Sequence, residues 1–378
     1  METTPPFPLK VNWIYGYPDD PPLTSRKLPT LRNIATHRIL GDRFTGKSAL
    51  GEAISFDYLA EGSTLYDFYA ANDNESLAAL NGPYKDRAVL VHGDQVKLGG
   101  NFETLKISEL DPRRTADGKL FITCKAFYPG EEEHYGALFS FTRKVQTRNS
   151  WDRVDVLFIR EAQEYISSKL RTGQSRTRKE AAEDFLDFHN QCYHSGMAVV
   201  LDSQREMEVA KGARELSTFT YFKNLGAQEI PRRIWWIASD RFANFDLDAL
   251  RRLKPNQFVI MTNRNSVGLG VFDMPRWHIN RGEGLLGKLG ITVTDLEGVP
   301  VKQREEAFTP LRDRGHPVTV MLPQYLQMLR EMEGRGCQLT EVYEELKRNG
   351  YQGSKRTVKE YMVEAKLAEK LKNTGDNF

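Results

Sequence analysis

Residues 41–48 read GDRFTGKS, and no other stretch constrains the chain as much. The octapeptide satisfies G-x-x-x-x-G-K-[ST] in full, with the short apolar run HRIL before it and the helical pattern SALGEAISFDYL after it. Gly41 and Gly46 let the backbone curl through Asp42, Arg43, Phe44 and Thr45 so that its N–H groups face inward. Lys47 offers a compact charge to β- and γ-phosphates, and Ser48 offers a hydroxyl to Mg²⁺. Ala49 continues into a first helical turn whose free N–H groups favour an anion. Strand, loop and helix in that order predict a phosphate-binding loop that takes ATP with Mg²⁺.

Strand-like runs bounded by turns recur along the 378 residues: STLYDFY, RAVLVHG, LFITCKAF, DVLFI, GMAVVLDS, TFTYFKNL, IWWIAS and QFVIMT. Helical patterns lie between several of them, notably EEHYGALFSFTRKVQ and RTRKEAAEDFLDFHNQCYH. This alternation predicts an α/β fold with a mostly parallel sheet flanked by helices. Residues 1–30 are proline-rich and read as an irregular arm. Residues 31–290 are the expected nucleotide-binding domain, 291–315 a polar linker, and 316–378 a small helical domain. In the last, QLTEVYEELKRNG and SKRTVKEYMVEAKLAEKL are joined by GYQGS, which predicts a helix-turn-helix.

Hydrophobic residues make up 40% and charged residues 28%, enough for a sizeable core. The net charge of +2 excludes DNA binding by bulk charge, so any nucleic-acid contact must be local. Cys124, Cys192 and Cys337 are widely spaced, which predicts free thiols in a reducing interior. No window approaches the roughly 18 apolar residues of a membrane span, and METTPPFPLK lacks the pattern of a signal peptide. The expected location is cytoplasmic, in the host if the chain is viral.

The order of motifs around the loop resembles the HerA/FtsK group of P-loop ATPases, especially those of archaeal viruses and plasmids. The resemblance runs from Arg38 to Trp277 and rests on GDRFTGKS, VLFIREAQEYI, VVLDSQRE, ARELSTFTYFKNLG and LKPNQFVIMTNRNSVGLGVFDMPRW. TLYDFYAANDNESLAAL is similar to a segment of the archaeal members, with no role derived from its residues. The resemblance implies an ATP-dependent DNA translocase of packaging or transfer type. It further implies a homo-oligomer, expected to be a hexamer, with DNA as partner and a nuclease or capsid protein as candidate associates.

Two departures from that group stand out. Arg160 occupies the place of an aspartate that holds a water on magnesium, and an arginine has no lone pair to offer. HNQCYHSG lacks the basic residues that relatives carry before the sensor strand. Glu161 keeps the place of the group that activates the attacking water. Asp202 is the nearest replacement carboxylate for the metal, provided that its strand neighbours the loop strand; AVVLDSQRE could then itself be the acidic strand. Gln204 suits a sensor of the γ-phosphate or water, and Arg205 and Arg214 are candidate fingers toward a neighbouring subunit.

Weaker constellations complete the reading. RTGQSRTRKE, with Arg171, Arg176 and Arg178, could track a phosphate backbone as a pore loop or be a solvated loop. Lys355, Arg356 and Lys359 open the last helix as in a recognition helix, against the alternative of a subunit-contact bundle. His189, Cys192 and His194 do not share a helical face, which argues against zinc. Trp235 and Trp236 fit a buried strand better than a base-stacking platform. Beside the motor stands a second reading, an ATP-gated DNA-binding regulator with weak or no hydrolysis, which Arg160 favours; a small-molecule kinase is a third.

Overall fold

The computed structural model describes residues 9–15, 34–69, 75–114, 118–148, 154–166, 176–204, 217–226, 247–263, 266–274, 285–300 and 338–349, with a few single positions besides. The chain divides into two compact units, Met1–Lys302 and Gln303–Phe378. The first unit is built on a sheet of 11 strands in the order β1-β12-β11-β10-β2-β9-β8-β3-β7-β4-β6. In chain order the described strands, counting β5 and β13 of a separate two-stranded sheet, are β1 (Leu9–Tyr15), β2 (Thr36–Leu40), β3 (Leu65–Tyr69), β4 (Ala88–His92), β5 (Val96–Gly99) and β6 (Glu103–Lys106). They continue as β7 (Leu120–Cys124), β8 (Asp155–Arg160), β9 (Met197–Ser203), β10 (Phe219–Phe222), β11 (Gln257–Thr262), β12 (Val267–Phe272) and β13 (Thr292–Asp295). From β10 to β6 every neighbouring pair is parallel, while β11, β12 and β1 extend the sheet antiparallel.

The apolar runs form strands because both of their faces are covered. Every residue of β2, β3, β4, β7, β8, β9 and β10 is buried, as expected of a parallel sheet packed on both sides. The α-helices of the unit among the described residues are α1 (Lys47–Ala60), α2 (Glu131–Gln146), α3 (Ala162–Tyr165), α4 (Arg176–Gln191) and α5 (Leu285–Lys288). In α1 every residue from Lys47 to Leu59 is buried, packed over β2, β3, β8 and β9. Gly51 permits this approach: a Cβ there would lie 2.3 Å from the Phe158 ring. Helix α2 carries Glu131, Glu132 and Glu133 in its first turn and Arg143 and Lys144 in its last, which suits the helix dipole at both ends, and it packs on α4. This is the architecture of a P-loop nucleotide-hydrolase fold.

Several sequence expectations are corrected here. Within the arm, Leu9–Tyr15 forms β1, paired with β12. Leu9, Val11 and Trp13 are half-buried while Lys10, Asn12 and Ile14 are exposed, and this alternation suits a sheet edge. At the start of the stretch read as a linker, β13 pairs with β5 in a separate two-stranded sheet. The helical pattern starting at Arg176 is found as α4, so Arg176 and Arg178 of the run also read as a loop are helical residues; Arg171 lies outside the described residues. IWWIAS with Trp235 and Trp236 also lies outside them.

In the second unit, α6 (Leu339–Arg348) is described and starts with a capping box between Gln338 and Glu341. Lys355, Arg356 and Lys359, and with them the second helix of the expected helix-turn-helix, lie outside the described residues. Among the described residues no helix is long and apolar enough to cross a membrane.

Candidate phosphate-binding site

Parallel pairing brings the carboxyl ends of β2, β9 and β8 to one edge of the sheet, where open α/β folds bind ligands. β9 lies between the loop strand and the strand of Arg160, so Asp202 stands opposite Ile39 and Ser203 opposite Leu40. The condition placed on Asp202 is therefore met.

The loop after β2 is held from several sides. The Asp42 N–H donates to the Asn224 carbonyl at 2.8 Å, and the Thr45 hydroxyl donates to the Asp42 carbonyl at 2.8 Å. Lys47 Nζ donates to that same carbonyl at 2.9 Å, so its charge lies along the inside of the loop. Gly46 caps α1 at φ 82°, and a Cβ there would meet the Pro255 carbonyl oxygen at 2.4 Å. Both facts require glycine. Gly41 is as tightly confined, its Cβ position lying 2.6 Å from the Lys223 Cβ. Phe44, at φ 59°, is 86% exposed at the tip, and Ala49 is buried in the first turn of α1.

Lys223, which the sequence did not mark, fixes the rear of the loop. Its buried ammonium donates to the carbonyls of Pro255 and Gln257 at 2.6 and 2.7 Å. Burial, helped by the charge of Lys47, pushes its pKa down to about 7. The Pro255 carbonyl that confines Gly46 is thus tied to the end of β10.

Glu161 follows β8 in the left-handed conformation, φ 53° and ψ 50°, a strained state for a glutamate. Its N–H donates to Asp202 Oδ1 at 2.5 Å. Its carboxylate accepts from Gln204 Nε2 at 3.1 and 3.0 Å and from the Gln163 amide. Gln204 Oε1 in turn accepts from Arg43 Nε of the loop at 3.3 Å. A continuous chain therefore runs Arg43–Gln204–Glu161–Asp202. Asp202 is fully buried and its Oδ2 has no hydrogen-bond partner among the described residues. Burial and the nearby Glu161 push its pKa up to about 7 against the pull of Lys47. The sequence singled out all four residues, and the fold brings them together.

Arg160 points elsewhere. Its guanidinium is fully buried and forms a fork on Asp67, with Nε and Nη2 at 2.9 and 2.7 Å from the two oxygens, and Nη2 reaches Glu52 Oε1 at 2.7 Å. Burial alone would lower its pKa, but the Asp67 and Glu52 charges outweigh that and hold it well above the ordinary value. The partners of Arg160 are thus within its own chain. Asp67 and Glu52 were given no role by the sequence reading; the available signal was Asp67 inside the strand run LYDFY and Arg160 at the end of DVLFIR.

A magnesium site fits these residues. Mg²⁺ keeps waters and phosphate oxygens and needs only one or two protein carboxylates. The Ser48 hydroxyl at the head of α1 and the unpartnered Oδ2 of Asp202 supply suitable oxygens. Among the described residues no group of three or more His, Cys, Asp or Glu side chains is placed to hold a metal on its own. Arg205 and Arg214 lie outside the described residues.

No protein-family model matches the chain, and no curated protein does. Among solved structures it is similar to the genome packaging NTPase B204 of Sulfolobus turreted icosahedral virus 2, at 15% identity over 62% of this chain and 95% of that one, with a TM-score of 0.37. It is also similar to the conjugation coupling protein TcpA of pCW3, at 10% identity over 62% and 59%, TM-score 0.34. ATPases 2 and 3 of EssC from Geobacillus thermodenitrificans match at 10% identity over 68% and 44%, TM-score 0.34. At such scores these neighbours carry no argument of their own, and the P-loop fold rests on the strand order and loop described above.

Proposed function

We propose that the chain is an ATP-dependent DNA translocase of packaging or transfer type, working as a homo-oligomer. The observation that carries the reading is the arrangement of Lys47, Ser48, Glu161 and Gln204 around one loop at the carboxyl edge of the sheet. The loop's N–H groups and Lys47 bind the β- and γ-phosphates, and the closed end of α1 adds its dipole. When bound, magnesium supplies charge neutralisation on the phosphates, and Ser48 with a nearby carboxylate holds it. Glu161 orients the attacking water and takes its proton; Gln204, which touches both Glu161 and the loop, reports the state of the γ-phosphate. Arg205 or Arg214 is the proposed finger toward a neighbouring protomer, and the basic residues Arg171, Arg176, Arg178, Lys355, Arg356 and Lys359 the proposed DNA contacts. A capsid or nuclease partner belongs to the same reading.

One observation favours the second reading, an ATP-gated DNA-binding regulator. The Glu161 carboxylate is engaged by two amides, and Arg160 contributes no carboxylate. Phosphate release measured with and without DNA separates the two, with Lys47→Ala as the blank. Turnover stimulated by DNA is expected of the motor. Tight nucleotide binding without turnover would establish the regulator instead.

A further inference from the structure

A displaced aspartate leaves a chemical question: which carboxylate faces the Ser48 hydroxyl? Arg160 ends the strand where that carboxylate is expected, and its guanidinium is locked onto Asp67 and Glu52. Asp202 has committed Oδ1 to the Glu161 backbone and keeps Oδ2 open, but no hydrogen bond links it to Ser48 among the described residues. The side chain that does meet Ser48 comes from another element. Glu75 opens the 3-10 helix Glu75–Asn81 after β3, and Ser48 Oγ donates to its Oε2 at 3.4 Å. That distance is long for a hydroxyl hydrogen bond, so the two side chains meet without holding each other tightly.

The surroundings fit this placement. Ser48 and Glu52 sit four residues apart on one face of α1, so the serine that would touch metal and the glutamate that holds Arg160 are stacked along the same side. The Arg160 charge acts on Glu75 as well as on Asp67 and Glu52. The positive charge at the end of β8 is therefore matched by carboxylates from α1, β3 and the segment after β3. One of these carboxylates, Glu75, stands at the loop. In this chain an arginine stands at the strand end and an acid at the neighbouring connection.

We propose that Glu75 is the protein carboxylate that holds Mg²⁺ beside Ser48, in place of the aspartate that Arg160 displaces. The proposal rests on the ATP-binding reading of the loop and deepens it. Glu75 acts on the metal and Glu161 on water, so the two glutamates have separable effects.

Metal and nucleotide affinities, measured separately on the full chain, test this. Titration of ATPγS in EDTA reports loop binding alone and also that each variant is folded. Mn²⁺ titration of the nucleotide complex, followed by electron paramagnetic resonance, reports the metal site. Glu75→Gln is expected to leave the EDTA affinity unchanged and to weaken Mn²⁺ binding roughly ten- to a hundredfold, with partial recovery in Glu75→Asp. Glu161→Gln is expected to change neither. The proposal is overturned if Glu75→Gln binds Mn²⁺ as wild type does, or if it loses nucleotide equally with and without metal. Loss of Mn²⁺ in Asp202→Asn but not in Glu75→Gln would transfer the role to Asp202. A wild-type chain that takes up no nucleotide overturns the ATP-binding reading itself, a result distinct from normal nucleotide uptake with an indifferent Glu75.

Discussion

Arg160 shows how one side chain can be essential without touching a substrate. Its guanidinium is ion-paired with two buried carboxylates, Asp67 and Glu52, inside the sheet and the loop helix. Arg160→Met should therefore cost about 3–5 kcal/mol of stability, since it strands buried negative charge, and a urea melt monitored by circular dichroism would show it. If stability is unchanged, the three-way pair is not holding α1 to the sheet. Glu161→Gln is expected to keep ATP binding in a calorimeter while lowering turnover by about 10²–10⁴, the range for a general base. Unaltered turnover would exclude Glu161 from that role. Glycines and Lys47 of the loop were legible because a contiguous motif prescribes them. Glu75, Asp67 and Glu52 were not, because their meaning depends on strands that are adjacent in space and distant in sequence. Lys223 was hidden for the same reason: its partners are carbonyls, which no side-chain pattern records.

At the level of elements, α1 against β8 is the contact on which the site geometry turns. Gly51 presents bare backbone to the Phe158 ring, so the helix that carries Ser48 lies flush with the strand that leads to Glu161. Gly51→Ala should push them apart at about 1–3 kcal/mol in stability, readable as a lowered melting temperature together with weakened nucleotide binding. A variant of wild-type stability would mean that Phe158 simply turns aside. The inner parallel strands were readable because their apolar runs are continuous and turn-bounded. β1, β6 and β13 were not: each is an edge strand, half polar, and edge strands borrow their conformation from a neighbour.

For the whole molecule, three of the buried histidines set a limit on acid tolerance. Burial pushes His37 and His134 down to about 3 and His189 to about 4. An unfolded histidine takes its proton near 6.5, so this stability is present above pH 6.5 and lost as pH falls toward 4. Between pH 6.5 and 5 each contributes up to about 2 kcal/mol; Asp202, pushed up to about 7, works the other way. The urea midpoint should drop from pH 7 to pH 5. His189→Phe should reduce that drop at no cost near neutrality, because neither ring nitrogen of His189 has a hydrogen-bond partner among the described residues. An identical drop in the variant would remove His189 from the account. His37 differs, because its nitrogens are bonded to the Tyr58 and Tyr221 hydroxyls at 3.0 Å each.

The Pro255 carbonyl behind Gly46 has a consequence for any dissection of the chain. The octapeptide is contiguous, but the mould that shapes it is cast from β10 and the approach to β11, some two hundred positions downstream. A fragment stopping short of Pro255 would carry every letter of the motif and still lack its backing. Truncation should therefore silence nucleotide uptake well before it reaches the motif.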